Sequence, residues 1–157
     1  MVRESEAGGI AEPSFLFDED LIAHGKTLRV PYPRTIHVSS VDDAPPKQTP
    51  DGGMYRWCVV RGAVLVTGDF NMLRDQAILD ELVRHVGLRI IWVRQIKGQR
   101  IGREIERIVG RWDYIRTSVA RDQDISAFVL AGNGRLKRYR TIRDAVYEVV
   151  PYRRRKQ

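Results

Sequence analysis

Apolar residues in this 157-residue chain fall into short continuous runs that alternate with stretches of helical spacing. Ser14-Phe15-Leu16-Phe17 is a run of buried-strand type, closed by Asp18-Glu19-Asp20. A helix is expected over about 19–28, with acids in its first turn where the helix dipole favours them, and Val30-Pro31-Tyr32-Pro33 stops it. Thr35-Ile36-His37-Val38 reads as a second strand. Residues 41–50 form a Pro-rich loop, and Thr49-Pro50-Asp51 opens a helix capped by Thr49 or Asp51 and ended by Gly62. Ala63-Val64-Leu65-Val66-Thr67 is the clearest strand and runs into Gly68-Asp69.

In the second half, a helix over about 71–86 would place Ile78, Leu79, Leu82, Val83 and Val86 on one face, with Gly87 as its stop. Residues 88–93 read as a fourth strand. The spacing of Ile101, Ile105, Ile108, Val109, Trp112 and Ile115 predicts an amphipathic helix over 99–117. A strand over 127–130, a Gly132-Asn133-Gly134 turn and a return over 135–140 make a hairpin, and 141–150 reads as helix or strand. Strands alternating with helices predict an α/β fold, a three-layer α/β/α sandwich with a mainly parallel central sheet. The expected domain spans 14–140, with a loose leader over 1–13 and a basic extension over 141–157.

Composition narrows the class. Hydrophobic residues make up 43% and charged residues 30%, which excludes a mainly disordered chain. No uncharged apolar run approaches the ~20 residues that span a bilayer. The first twelve residues carry Glu4, Glu6 and Glu12 and no apolar centre, unlike a signal peptide. The single cysteine, Cys58, excludes an internal disulfide framework and a Cys-based zinc site. A cytoplasmic location is the expectation.

Charge is unevenly placed. Residues 1–88 carry 9 basic and 13 acidic side chains, whereas residues 135–157 carry 9 basic and 2 acidic. An acidic half joined to a basic half points to a carboxylate site beside a surface for a polyanion, or to a solvated surface with a basic tail.

In an open parallel sheet, ligands bind beyond the C-terminal strand ends, where the strand order reverses. Two buried runs end there in an acid, Asp18 and Asp69, and Asp51 opens the helix leading into the second. Two carboxylates about 5 Å apart repel by roughly 3 kcal/mol at an effective dielectric near 20. A bound proton or a hard divalent cation relieves that repulsion. Each acid taken singly also reads as an ordinary helix-start or turn residue.

Phe15-Leu16-Phe17-Asp18-Glu19-Asp20-Leu21 resembles the opening "L-D-E-N-L" of compact PIN-like ribonuclease domains. Thr49-Pro50-Asp51, an apolar helix, and Arg61-Gly62-Ala63-Val64-Leu65-Val66-Thr67-Gly68-Asp69 resemble their second block, "G-x-V-L-V-T-x-D". Ile90-Ile91-Trp92-Val93-Arg94 resembles the strand that follows. The resemblance covers about residues 14–95, and more loosely to 140. It implies a Mg²⁺- or Mn²⁺-dependent endoribonuclease, often the toxin of a toxin–antitoxin pair with a cognate antitoxin protein, and often a homodimer. Asp18, Asp51 and Asp69 would hold the metal and carry catalysis, with Glu19 and Asn71 as further metal candidates. Asn71 is a departure, because compact members often carry an acid there ("T-x-D-x-D-F"). An amide adds no charge, so the alternative is a non-catalytic RNA-binding or regulatory module with a weakened metal site.

Other chemistries are disfavoured. His24, His37 and His85 show no ligand or triad spacing, Ser39, Ser40 and Cys58 have no adjacent base, and no Gly-rich phosphate loop follows a strand. Arg100, Arg103, Arg107 and Arg111 recur at spacings of 3, 4 and 4, a stripe suited to RNA backbone phosphates or to a solvated face paired with Glu104 and Glu106. The run Arg153-Arg154-Arg155-Lys156 would extend that grip or aid solubility.

Overall fold

The computed structural model describes residues 12–39 and 44–149. Most of the expected leader, Ser40 and the Arg153–Lys156 run lie outside the described residues. Six strands, β1 (Phe15–Phe17), β2 (Thr35–His37), β3 (Val64–Thr67), β4 (Arg89–Val93), β5 (Ala127–Leu130) and β6 (Leu136–Tyr139), form one sheet in the order β2-β1-β3-β4-β5-β6. All pairings are parallel except β5 with β6, which is antiparallel. Helices α1 (Ile22–Arg29), α2 (Asp51–Arg61), α3 (Gln76–Arg84), α4 (Ile101–Arg121) and α5 (Ile142–Val149) cover it.

β1, β3 and β5 are buried throughout, β4 nearly so, and the alternation of side chains along the strands divides the core in two. Leu16, Leu65, Ile90, Trp92, Ala127 and Val129 face Met54, Cys58, Leu79, Leu82 and Val146 of α2, α3 and α5. Phe15, Phe17, Val66, Ile91, Val93, Phe128 and Leu130 face Leu28, Ile108, Trp112, Ile115 and Val119 of α1 and α4. A strand needs an apolar residue at every position when both of its faces are covered, and this is why the runs show no polar alternation. Gly25 lets α1 approach closely. A Cβ there would stand 2.9 Å from the Cβ of His37 and 3.0 Å from that of Phe17.

Several boundaries differ from expectation. The first predicted helix splits into a 3-10 turn, Glu19–Leu21, capped by the Asp18 carboxylate, and α1. The helix expected from 71 begins at Gln76. Phe70–Leu73 is a 3-10 turn, and the Asp75 carboxylate accepts from the N–H groups of Ala77 and Ile78, which fixes the later start. Val86 lies beyond that helix and is 87% exposed rather than on its apolar face. Helix α4 runs on to Arg121. Residues 142–149 are helical, and Ile142, Ala145 and Val146 enter the core, so the packed unit extends past residue 140. At the other end, Glu12 is tied down by Arg34, which donates to its carbonyl at 2.7 Å, and by an ion pair with Arg116. Among the described residues no helix is long and apolar enough to cross a membrane.

Candidate functional site

The chain leaves β1 for β2 on one side and then crosses back to place β3 on the other side of β1. The strand order therefore reverses between β1 and β3, and their C-terminal ends open a crevice. The Asp18 amide donates to the Val66 carbonyl at 2.9 Å, holding the two strand ends side by side. Asp51 arrives on the first turn of α2, where a carboxylate also suits the positive end of the helix dipole. Gly62, in the left-handed conformation at φ 65°, ends α2 and turns the chain into β3.

Asp18, Asp51 and Asp69 thus line one open cleft of about 610 Å³, together with Glu19, Asp20, Thr49, Gly68 and Asn71. None of these lining residues is a Lys or Arg. Local hydrogen bonds fix the acids. The buried Thr67 hydroxyl donates to Asp18 Oδ2 at 3.0 Å and accepts from the Asp69 amide at 3.1 Å. Asp18 Oδ1 accepts from the Glu19 amide, and Asp69 Oδ1 accepts from the Asn71 amide at 2.9 Å. Asp20 Oδ2 accepts from the Gly68 amide at 3.0 Å. Glu19 uses one carboxylate oxygen to hold the Gln48 amide at 2.7 Å, which fastens the loop before Asp51 to the cleft floor.

The carboxylates perturb one another. Burial raises the Asp18 pKa, opposed by its hydrogen bonds and reinforced by the charges of Asp69 and Glu19. Asp51 is raised by burial and by Asp18 and Asp69. Asp20 is pushed up to about 6, first by the atoms packed around its carboxylate and then by the Asp18 charge, although its side chain stays open to water at the cleft mouth. The field reaches below the floor. Burial raises the Tyr55 phenol, with Asp51, Asp18 and Asp69 adding to the effect, and pushes the Cys58 thiol up to about 12, which leaves it protonated and inert as a nucleophile.

The donor set is all oxygen and strongly anionic, which fits a hard divalent cation. The fit is chemical rather than preformed. Among the described residues no group of three or more His, Cys, Asp or Glu side chains is placed so that it could hold a metal ion. Asp18, Asp51 and Asp69 are the side chains that would hold such an ion, with Asp20 beside them.

Asp20 and Thr67 are site residues outside the set expected from the sequence, although Thr67 is part of the Thr-x-Asp strand end. In sequence, Asp20 is the third acid of a helix start. Only the 3-10 turn swings it round to Gly68. Thr67 had a signal, as the one polar residue ending an otherwise apolar buried strand. The arginine stripe divides. Arg107 donates to the carbonyls of Ala131 and Arg94, and Arg111 donates to the Gly134 carbonyl while lying over the Tyr114 ring. These two guanidinium groups tie α4 to the loops after β4 and β5. Arg100 and Arg103 are exposed at the start of α4. None of the four lines the acidic cleft. Arg94, just after β4, lies over the ring of Phe70, the residue that follows Asp69, at 4.6 Å. The histidines also stand outside the cleft: His24 pairs with Glu104, His37 meets the Val38 carbonyl and His85 the Glu81 carbonyl.

Fold and cleft together define an α/β protein with a carboxylate crevice at the switch point of a mostly parallel sheet. Comparison with known proteins finds no matching family model, no matching curated protein and no matching solved structure.

Proposed function

We propose that this protein is a PIN-like, divalent-metal-dependent endoribonuclease that hydrolyses RNA phosphodiester bonds. The observation that carries the reading is the meeting of Asp18, Asp51 and Asp69 in one cleft from which Lys and Arg are absent among the lining residues. Carboxylates held together without a cationic partner, with Asp18 and Asp51 at raised pKa, are poised to gain from a cation. A bound Mg²⁺ or Mn²⁺ supplies charge neutralisation at the phosphate and activation of water.

The chain's own residues do the rest. Thr67 orients Asp18 and the Asp69 backbone, so two donors keep a fixed aspect. Asp51 closes the third side from the start of α2, on a loop anchored by Glu19. Arg94, 4.6 Å over the ring of Phe70, offers a guanidinium for a strand phosphate. Arg100 and Arg103, exposed at the start of α4, offer further positive charge to the RNA backbone.

A second reading, a PIN-like RNA-binding or regulatory module without catalysis, is favoured by Asn71. Its neutral amide lines the cleft where a further carboxylate would strengthen metal binding. The deciding experiment incubates the protein with mixed RNAs in Mg²⁺, Mn²⁺ or EDTA, beside Asp69→Asn. Cleavage that needs the metal and Asp69 supports the nuclease; RNA binding without cleavage supports the module.

A further inference from the structure

A second concavity of about 480 Å³ adjoins the acidic cleft. Asp20 lines both. Gly68 of the cleft and Gln95 of the concavity are neighbours: a Cβ on Gly68 would lie 2.8 Å from Asp20 Oδ2 and 3.4 Å from Gln95 Nε2. The second concavity lies between α1, the loop after β4 and the start of α4, and its chemistry differs from that of the cleft.

One wall is apolar. Ile96 is 39% and Ile101 62% exposed, although Ile101 falls in the apolar pattern of α4. The amides of Gln95 and Gln99 and the ammonium of Lys97 line the same space. Its floor is a buried pair, His24 Nε2 to Glu104 Oε1 at 2.8 Å, with both side chains under a tenth exposed. His24 Nδ1 and Gln99 Oε1 are both buried without a hydrogen-bond partner. Buried polar atoms of that kind are costly to leave unmatched, and both side chains that carry them line this space.

A flat ligand with apolar faces, a polar edge and a phosphate fits this combination, and the space is of the size that small-molecule sites occupy. We infer that the concavity between α1 and α4 is a nucleotide subsite, which takes the base and ribose of a nucleotide whose phosphate lies toward the acidic cleft. The inference rests on the proposed nuclease reading for its direction, but not for its test. The base lies against Ile96 and Ile101, its edge meets Gln99 and the His24–Glu104 floor, and Lys97 stands at the phosphate. In a strand, this nucleotide flanks the one presented to the carboxylates. The site therefore gives the cleft a preference for what neighbours the cut.

The test is metal-free binding of the four nucleoside 5′-monophosphates, and of a short uncleavable 2′-O-methyl oligonucleotide, to the full chain. It is followed by amide NMR and titration. Shifts centred on residues 95–101 and His24 are expected. Gln99→Ala and Ile101→Asp, both at solvent-accessible positions, should weaken binding by ~10-fold, the loss of one edge contact or one apolar face. Tighter binding of the oligonucleotide marks a strand as the natural source, and equal binding marks a free nucleotide; both support the subsite. Absence of these shifts, or equal affinity in the two pocket variants, overturns it. If the wild type cleaves RNA and no nucleotide binds here, the subsite falls and the nuclease stands. If nucleotides bind here and no RNA is cut, the nuclease falls and the subsite stands.

Discussion

The two ends of the sheet both concentrate charge and treat it in opposite ways. At the N-terminal end, Arg89 donates to the carbonyls of Ile125, Val119 and Asp122. Asp122 in turn is held by Arg121 and Arg138, which bring its pKa down to about 2. Each of these four groups has an opposite charge or a carbonyl. At the C-terminal end, Asp18, Asp20, Asp51 and Asp69 share a cleft, and none of the four is in an ion pair among the described residues. A folded chain readily keeps matched charges for structure. Unmatched like charges kept side by side cost stability, and their retention points to a ligand of the other sign.

The largest expected effect breaks the acidic end. Asp69→Asn should lower metal-dependent RNA cleavage by ~10³-fold, because a charge acting at the reacting phosphate is lost. Single-turnover assays on end-labelled RNA check it, and unchanged melting of the variant keeps the result from being a folding defect. The next effect breaks the matched end. Arg89→Leu strips donors from three carbonyls and should cost ~3 kcal/mol in urea unfolding, with the cleft chemistry intact in the protein that remains folded.

Opposite pH signs sharpen the contrast. The Asp20 pKa of about 6 lies above its unfolded value, so its contribution is favourable at low pH and is lost as pH rises through about 6. Asp20→Asn should therefore stabilise the protein at pH 7 by ~1 kcal/mol, a figure held down by the water at the cleft mouth, and should have little effect at pH 4. Asp122, with its pKa lowered to about 2, works the other way: its stabilisation is present above the unfolded carboxylate range and is lost as pH falls toward 2. Thermal melts of Asp20→Asn and Asp122→Asn across pH 3–8 should diverge in these two directions. The smallest effect is that of Gly68→Ala, whose Cβ would stand 2.8 Å from Asp20 Oδ2 and push a flexible carboxylate aside. It should cost under ~1 kcal/mol in urea unfolding yet shift the Asp20 titration seen by carbon-detected NMR.

What was legible in the sequence follows from how local its cause is. Phe15–Phe17 and Val64–Thr67 announce themselves because a strand covered on both faces must be apolar at its buried positions and because the first runs into Asp18 and the second ends in Thr67 at the crevice. Helix α4 is legible from its isoleucine spacing. Asp20 was not, since its approach to Gly68 depends on a 3-10 turn whose formation rests on the Asp18 cap. Nor could spacing decide the fate of Arg107 and Arg111. The stripe places them on one face of a helix, but only the packing of α4 against residues 131–134 shows that they meet carbonyls. The exposed Ile101, by contrast, looks in sequence like one more core residue of the same helix.

The central claim is that the carboxylate crevice between β1 and β3 holds one divalent cation. Substoichiometric Mn²⁺ added to the isotopically labelled protein tests it directly through paramagnetic broadening. Selective loss of the Asp18, Asp51, Gly68 and Asp69 amide signals, reversed by excess Mg²⁺ and weakened in Asp69→Asn, is the expected result. Broadening centred elsewhere, or none at these residues, would contradict it.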